Sequence, residues 1–192
     1  MSTKNSSELE KKVDELLSRG VQDAIVKEDL RKKLLSGKKL RIKYGIDPTG
    51  PKVHLGRAST MRKLAKFQEL GHQIVLIIGD FTAQVGDASD KDSERPMLEK
   101  QQIEENMKGY LEQLGKIFDI SRAEVCHNSQ WLGRLDFNDI CRLADNFSVA
   151  EMVDRENFSQ RFKSGKRSYL REFMYPLMQG YDSVALKSDG EI

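Results

Sequence analysis

Three groups of polar side chains have the types and spacing needed to bind a charged small molecule. The first group is Asp47-Pro48-Thr49 followed by the run Val53 to Arg57 (VHLGR). A predicted helix begins within this group, and backbone N–H groups at the start of a helix attract phosphate. His54 and Arg57 would add hydrogen-bond donors, and Gly56 would let a flat ligand approach the backbone. The HxG pattern alone more often marks a packing glycine beside a surface histidine, but the DPT run at a fixed distance favours a phosphate site.

The second group is a glycine-bounded loop that follows an apolar run. It spans Gly79 to Asp87 (GDFTAQVGD) and is followed by the charged run KDSER, which begins with Lys91 and ends with Arg95. A carboxylate in this loop could bind an ammonium group, and an ordinary turn or helix-capping aspartate is an equally good interpretation. Taken by themselves, the charges of this run, including Lys91 and Arg95, can be ordinary solvated loop charges.

The third group lies on one face of a predicted helix. Tyr175, Gln179 and Asp182 are spaced by four and three residues, so their side chains share that face. The opposite face carries apolar side chains, among them Leu177 and Met178, which indicates that the helix is packed. We therefore expect the phenol, the amide and the carboxylate to face a small polar ligand rather than solvent.

The apolar pattern predicts the elements that position these groups. Apolar residues alternate or run together in the predicted strands and recur every three to four residues in the predicted helices. We predict strands at 40–46, 73–78, 123–127 and 183–187. We predict helices at 6–19, 27–35, 55–70, 103–118, 136–144, 149–154 and 169–182, and a mobile loop at 158–167.

Strands that alternate with helices indicate an α/β fold, here a Rossmann-like doubly wound parallel sheet with flanking helices at the N-terminus. We divide the chain into an N-terminal helical segment, residues 1–38, and an incomplete Rossmann-like domain, residues 39–192. Ligands of such sheets bind beyond the carboxyl ends of the strands. The loops after Ile46 and Ile78 and the residues near Val184 are therefore expected to form the site.

Composition excludes several classes of protein. The 192 residues carry 32 Lys and Arg against 30 Asp and Glu, so the net charge of +2 does not indicate a nucleic-acid-binding surface. The three histidines are scattered, and Cys126 and Cys141 lack metal-site spacing, so we expect free thiols and no protein-bound metal. Because no apolar run suits a membrane span or a signal peptide, we expect a cytoplasmic protein without membrane contact.

The ordered groups resemble signature regions of bacterial-type tyrosyl-tRNA synthetases, a branch of the class I aminoacyl-tRNA synthetases. The run GIDPTGPKVHLGR resembles the HIGH region of class I, and its DPT is similar to the tyrosyl branch. This resemblance implies that Thr49 and His54 contact the ATP phosphates, and that Thr60 and the position of Arg57 meet the ribose. The ATP-binding residues implied by the resemblance are Asp47, Thr49, His54, Gly56, Arg57 and Thr60.

The other two groups resemble the tyrosine site of that family. The second group is similar to the family's GDxTxxxGDPSG loop, which implies that Thr82 and Asp87 hold the α-ammonium group of tyrosine. The third group resembles the YxxxQxxD helix, which implies that Tyr175 and Gln179 bind the backbone part of tyrosine. In this helix, Asp182 would accept a hydrogen bond from the substrate phenol.

A further stretch, NSQWL, also resembles a family segment that follows a strand. The resemblance implies that Asn128 lines the tyrosine pocket, whereas we expect Trp131 to be a packing residue. We interpret the Met and Phe residues between Phe147 and Phe158 as core or as a dimer surface.

The resemblance implies that the intact protein joins L-tyrosine to tRNA(Tyr). The tyrosine carboxylate would attack the α-phosphorus of ATP to give tyrosyl-adenylate and pyrophosphate, and the tyrosyl group would then pass to the tRNA. The catalytic side chains would be His54, Thr49, Lys91 and Arg95, which position the reactants and stabilise developing charge. Mg²⁺ would accompany ATP, and the family implies a homodimer.

The chain departs from the family's pattern at several positions. Arg57 replaces the usual second histidine, and its length and permanent charge would let it grip a phosphate rather than the ribose. Asp90 adds a carboxylate to the GDPSG-like loop. Lys43 stands where many relatives place a tyrosine, and Tyr44 should point to the opposite face of its strand. The family continues beyond the position of Ile192 into GGTDQ and KMSKS segments, so we expect this chain alone to be a weak catalyst.

Other functions remain open on the sequence. Tryptophanyl-tRNA synthetases share the fold and a similar last helix, although DPT and Tyr175 favour tyrosine. Arg57 and Asp90 would suit a catalytically weak paralogue that binds tyrosine, a nucleotide or a partner chain. A small nucleotidylyltransferase would use the same HxG turn but would leave the third group unexplained.

Overall fold

A four-stranded parallel sheet lies at the centre of the protein. The computed structural model describes residues 3–86 and 98–192. The strands are β1 (Arg41–Ile46), β2 (Gln73–Ile78), β3 (Glu124–His127) and β4 (Gly190–Glu191). Their order across the sheet is β3-β2-β1-β4, with every neighbouring pair parallel. The predicted α/β fold with a parallel sheet is confirmed.

Helices join and cover these strands. Two lie before β1, and they are α1 (Thr3–Leu16) and α2 (Lys27–Leu35). Between β1 and β3 lie α3 (Leu55–Glu69), α4 (Thr82–Val85), α5 (Lys100–Met107), α6 (Tyr110–Leu114) and a 3₁₀ turn at Ile120–Arg122. Between β3 and β4 lie α7 (Ser129–Leu132), α8 (Phe137–Ala144), α9 (Val149–Asp154), α10 (Glu156–Lys163) and α11 (Leu170–Leu186). None of the helices in the described ranges is long and apolar enough to cross a membrane.

The two faces of the sheet differ in chemistry. On β1, Ile42 and Tyr44 belong to the main apolar core, whereas Lys43 faces the cleft on the other side. The prediction that Tyr44 points away from Lys43 is confirmed. The N-terminal helices contribute Val13 and Leu34 to the same core as the sheet. The domain boundary at residue 38 stays a prediction.

The predicted single helix over 103–118 is wrong. The helix is interrupted between α5 and α6, where Gly109 has a φ of +69°. Glycine takes this left-handed conformation at little cost. Because Ile103, Tyr110 and Leu114 are all buried across the break, the apolar spacing continued and did not reveal it.

The predicted mobile loop at 158–167 is also wrong, because α10 occupies most of it. Arg161 on α10 donates to Glu172 on α11 at 2.8 Å, and both side chains are buried. Phe158 stacks on Phe173 with a centroid separation of 4.4 Å. These contacts pack α10 against α11, so the basic, polar composition of the segment was misleading.

The predicted strand at 183–187 is wrong for a different reason. The helix α11 continues to Leu186 and ends where Lys187 takes a left-handed φ of 49°. The chain then turns into β4, whose Gly190 and Glu191 pair with Ile42 and Lys43 on β1. The alternating pattern of 183–187 belongs to the last turn of a helix, and the strand begins after it.

Candidate functional site

A cleft of about 170 Å³ lies beside the carboxyl ends of the strands. It collects side chains that are far apart in the sequence and that come from all three groups. The sequence-predicted site residues that line it are Asp47, Thr82, Asn128, Tyr175, Gln179 and Asp182. Residues from β1, β2 and β4, and the glycine that follows β2, complete the lining, among them Lys43, Ile77, Gly79 and Glu191. The structure thus brings Asp47 of the first group, Thr82 of the second and the whole third group to this edge of the sheet, and their role as a binding site stays a prediction.

Asp47 connects the three groups. Its carboxylate accepts a hydrogen bond from the Thr82 hydroxyl at 2.7 Å and another from the Tyr175 phenol at 3.0 Å. Its backbone carbonyl accepts from Nη1 of Arg57 at 2.9 Å. The residue is 8% exposed. A displacement of Asp47 would therefore disturb side chains of all three groups.

Gly79 allows this close arrangement. A Cβ atom at Gly79 would lie 2.0 Å from Oδ1 of Asp47 and 2.4 Å from the Thr82 hydroxyl. Asn128 braces the same corner, because its amide donates to the Thr82 hydroxyl at 3.0 Å and its Oδ1 accepts from the Phe81 N–H at 3.0 Å. Asn128 is buried, so this amide orients Thr82 towards Asp47.

Asp182 is a buried carboxylate whose ionised form is disfavoured by burial and favoured by two neighbouring residues. Burial raises its pKa to about 6, while a hydrogen bond from Trp131 and the positive charge of Lys43 act in the opposite direction. The indole N–H of Trp131 donates to Oδ1 of Asp182 at 2.7 Å. The interpretation of Trp131 as a packing residue was therefore incomplete. The indole N–H is its one polar atom, and nothing in the local sequence indicated a partner 51 residues away.

Lys43 is a buried cation on the cleft wall. Its side chain is 1% exposed, and its Nζ lies 2.7 Å from the Gln179 carbonyl and 3.1 Å from Oε2 of Glu191. The Gln179 amide donates to Oε1 of Glu191 at 2.7 Å. The sequence indicated Lys43 as a departure from the tyrosyl pattern but did not indicate Glu191. This network ties β1, α11 and β4 together beside Asp182.

The remaining residues of the first group lie at the start of α3. His54 caps this helix by accepting, at 3.4 Å, from the backbone N–H of Arg57. Gly56 and Thr60 are exposed on its first turns. The Thr49 N–H donates to the Asp47 carbonyl at 2.8 Å, which closes a tight turn. An exposed helix start with a histidine cap lies next to the turn that carries Asp47.

Several predicted site residues lie outside the described residues. These are Asp87, Lys91 and Arg95, together with Asp90. Over 3–86 and 98–192, the structure contains no group of three or more His, Cys, Asp or Glu side chains that could hold a metal ion.

Comparison with known proteins defines the class. The family model for tRNA synthetases class I (W and Y) matches residues 35–192, which is most of the chain. The chain belongs to this family. The parallel sheet with a cleft beside the carboxyl ends of its strands is consistent with that membership.

Two relatives that are nearly half identical to the chain over the aligned residues are named tyrosine–tRNA ligases. The chain is 48% identical over 182 residues to the Tyrosine--tRNA ligase of Dehalococcoides mccartyi (strain CBDB1). This alignment covers 95% of the chain and 46% of that protein. The chain is 49% identical over 177 residues to the Tyrosine--tRNA ligase of Thermotoga maritima, covering 92% of the chain and 44% of that protein. The chain thus spans about half the length of the curated relatives it matches.

Solved structures agree on the fold. The tyrosyl-tRNA synthetase of Archaeoglobus fulgidus, crystallised as a complex with L-tyrosine, matches with a TM-score of 0.72. The match covers 95% of this chain and 54% of that chain at 22% identity. At this identity the likeness establishes the shared fold.

Proposed function

We propose that the full-length protein is a tyrosine–tRNA ligase, and that this chain carries its tyrosine site and part of its ATP site. The observation that carries the proposal is the buried Asp182 carboxylate in the cleft, aligned on α11 with Tyr175 and Gln179. The relatives named as tyrosine ligases support the same choice within the family.

The cleft suits the two ends of tyrosine. Asp182 would accept a hydrogen bond from the substrate phenol. A buried acceptor rejects phenylalanine because that analogue leaves it unpaired, a discrimination for which tyrosyl-tRNA synthetases are the established example. Thr82, Tyr175 and Gln179 would contact the amino-acid backbone, and Asn128 would line the pocket. Asp87, outside the described residues, would join Thr82 at the α-ammonium group.

The start of α3 suits the nucleotide. Thr49 and His54 would contact the ATP phosphates beside the positive end of the helix. Asp47, Gly56, Thr60 and the position of Arg57 complete this segment. Lys91 and Arg95, also outside the described residues, would reach the pyrophosphate. Mg²⁺ would arrive with ATP and neutralise part of its charge.

The reaction would rest on positioning and charge stabilisation. The substrate carboxylate is already a nucleophile, so it needs no general base before it attacks the α-phosphorus. The bond to pyrophosphate then breaks, and the tyrosyl group passes from the adenylate to tRNA(Tyr). Holding both substrates in one cleft supplies much of the rate in such transfers. The cytoplasmic location stays a prediction.

We also propose that the protein is a homodimer that pairs through α8 and the start of α9. The helix α8 contains no buried side chain, although Phe137 and Ile140 are apolar. Phe137 is 79% exposed and Val149 is 80% exposed. An unpartnered apolar face of this kind suits a second copy related by two-fold symmetry.

Tyrosine-dependent ATP–pyrophosphate exchange in the full-length protein tests the enzymatic proposal. Tyrosine, tryptophan and phenylalanine are compared as substrates. We expect exchange with tyrosine and little with the other two. Exchange with tryptophan instead would assign the other amino acid of the family, and the absence of exchange with any of them would leave a binding protein.

A further inference from the structure

The guanidinium of Arg57 is held by acceptors that belong to the protein itself. Its Nη1 donates to the Asp47 carbonyl at 2.9 Å and to the Tyr110 phenol at 2.9 Å. Its Nη2 lies 3.5 Å from the Thr49 hydroxyl. Both N–H groups of Nη1 are therefore used to join α3, the Asp47–Thr49 turn and α6.

We propose that Arg57 is a positioning residue, which braces the Asp47–Thr49 turn against Tyr110 and thereby holds the Asp47 carboxylate in the tyrosine cleft. This inference rests on the proposed function, because it assigns a role within that site. It differs from the expectation that Arg57 acts by gripping ATP. The brace would operate before any nucleotide binds.

Tyr110 is a firm anchor for this brace. Its side chain is 1% exposed, and α6 holds it in the apolar core. Burial raises the pKa of the Tyr110 phenol, so it stays protonated and can accept from Arg57 through an oxygen lone pair. A planar guanidinium spans two acceptors with little loss of freedom. Histidine, the residue usual in the family, has a shorter side chain and lacks the paired N–H groups of one Nη atom.

Neighbouring contacts show that α5 and α6 support the whole segment after β1. The Asn106 amide donates to the Pro48 carbonyl at 2.9 Å, and Asn106 is buried. The Gln113 side chain accepts from the Val53 N–H at 3.0 Å and donates to the Pro51 carbonyl at 3.0 Å. The segment is thus fixed through its backbone. Arg57 and Tyr110 fix the point where it enters the cleft.

The link to tyrosine runs through Asp47. Its carboxylate accepts from Thr82 and Tyr175, while its carbonyl accepts from Arg57. Loss of the guanidinium would free the turn and misplace this carboxylate. Tyrosine binding without ATP would then weaken, which loss of a simple phosphate ligand would not cause.

Three variants of the full-length protein test the brace: Arg57→Met, Tyr110→Phe and the double variant. Tyrosine affinity without ATP is measured by calorimetry, and KM for ATP and kcat are measured by pyrophosphate exchange. We expect Arg57→Met to weaken ATP-free tyrosine binding by roughly tenfold, the scale of one lost hydrogen bond to a charged group. Tyr110→Phe should weaken it less. The double variant should be no worse than Arg57→Met, because Arg57→Met already removes the Arg57–Tyr110 hydrogen bond that Tyr110→Phe removes.

Arg62→Met is the matched control, since Arg62 is an exposed arginine on the same helix. It should leave tyrosine affinity unchanged. If Arg57→Met raises KM for ATP but leaves ATP-free tyrosine affinity intact, the brace is wrong and Arg57 is a nucleotide ligand. Additive effects of the two single variants would also overturn it.

The milder variant, Tyr110→Phe, keeps the test valid if Arg57→Met fails to fold. Tyr110→Phe removes a single hydroxyl group, so unchanged tyrosine affinity in that variant refutes the brace even if Arg57→Met does not fold. Failure of the proposed function has a different signature, because the unmodified protein would then neither bind tyrosine nor exchange pyrophosphate. An active unmodified protein with unaffected variants would refute the brace alone.

Discussion

At the scale of single residues, two buried charges set the electrostatics of the cleft. Asp182 is 5% exposed, and burial raises its pKa from 3.8 to about 6. Lys43 is buried nearby, and its charge favours the ionised carboxylate. An ionised acceptor makes a stronger hydrogen bond to a phenol than a neutral one. We therefore expect tyrosine to bind best above about pH 6 and to bind more weakly as the pH falls through that value.

The Asp182→Asn variant separates binding from stability. The folded state raises the pKa of Asp182, so it holds the proton at pH values where the unfolded chain has released it. The contribution of Asp182 to the free energy of unfolding therefore falls as the pH rises from about 4 to about 6, by about 3 kcal/mol in total. Asparagine can still accept from Trp131 but does not titrate.

At pH 7.5 we therefore expect the free energy of unfolding of Asp182→Asn, relative to that of the unmodified protein, to be about 3 kcal/mol higher than at pH 4. We expect the same variant to bind tyrosine more weakly. Denaturant unfolding of both full-length proteins at the two pH values measures the first effect, and calorimetry measures the second. The same pH dependence in both proteins would contradict the assignment of this titration to Asp182.

The spacing of residues in the sequence predicted some of the neighbours in this cleft but not others. Tyr175, Gln179 and Asp182 share a helix face, so their spacing alone placed them together. The bonds of Asp182 with Trp131 and of Lys43 with Glu191 join residues distant in the sequence. Such pairs depend on how the chain packs, which local patterns do not encode.

At the scale of elements, the junction between β2 and α4 depends on one glycine. Gly79 directly follows the buried strand β2 and lets Asp47, which directly follows β1, accept a hydrogen bond from Thr82 at the start of α4. A side chain there would occupy the space of this hydrogen bond. The close approach of two loops therefore requires glycine at this position.

The Gly79→Ala variant tests that requirement. The added methyl group would force Asp47 and Thr82 apart, and overpacking of this kind costs about 1–3 kcal/mol of stability. We expect a lower free energy of unfolding and weaker tyrosine binding. Gly180→Ala is the control, because a Cβ atom at Gly180 meets nothing within 4 Å and alanine favours a helix. A Gly79→Ala protein as stable as the Gly180→Ala protein would contradict this account.

Element types followed from the apolar pattern where a continuous apolar run is buried, as in β2, or where one face of a helix is buried, as in α3. Periodicity failed where another effect decided the structure. The apolar periodicity continued across Gly109, where the helix is interrupted. It gave no signal in 158–167, where α10 is fixed by the buried pair of Arg161 and Glu172. Both failures arise because backbone conformation and paired buried charges leave no apolar pattern.

At the scale of the whole molecule, α8 has an apolar face without a partner in the described chain. Phe137 of α8 and Val149 of α9 are among the most exposed large apolar residues of the described chain. The helix α8 begins with a capping box formed by Asp136 and Asp139. The helix is therefore stabilised at its start by its own hydrogen bonds, while its apolar side remains uncovered. Pairing with a second copy would remove that side from water.

The Phe137→Asp variant tests the proposed dimer. An aspartate in the first turn is compatible with the helix dipole, so α8 should persist while its apolar face becomes charged. We expect the dimer to weaken by about 2 kcal/mol or more, the scale of a central aromatic contact. Sedimentation velocity of the full-length protein over a range of concentrations measures this change. Ile25→Asp is the control, because Ile25 is 87% exposed but lies in the N-terminal segment, away from α8 in the sequence. Equal behaviour of the two variants would remove α8 from the interface, because exposure alone would then explain any effect.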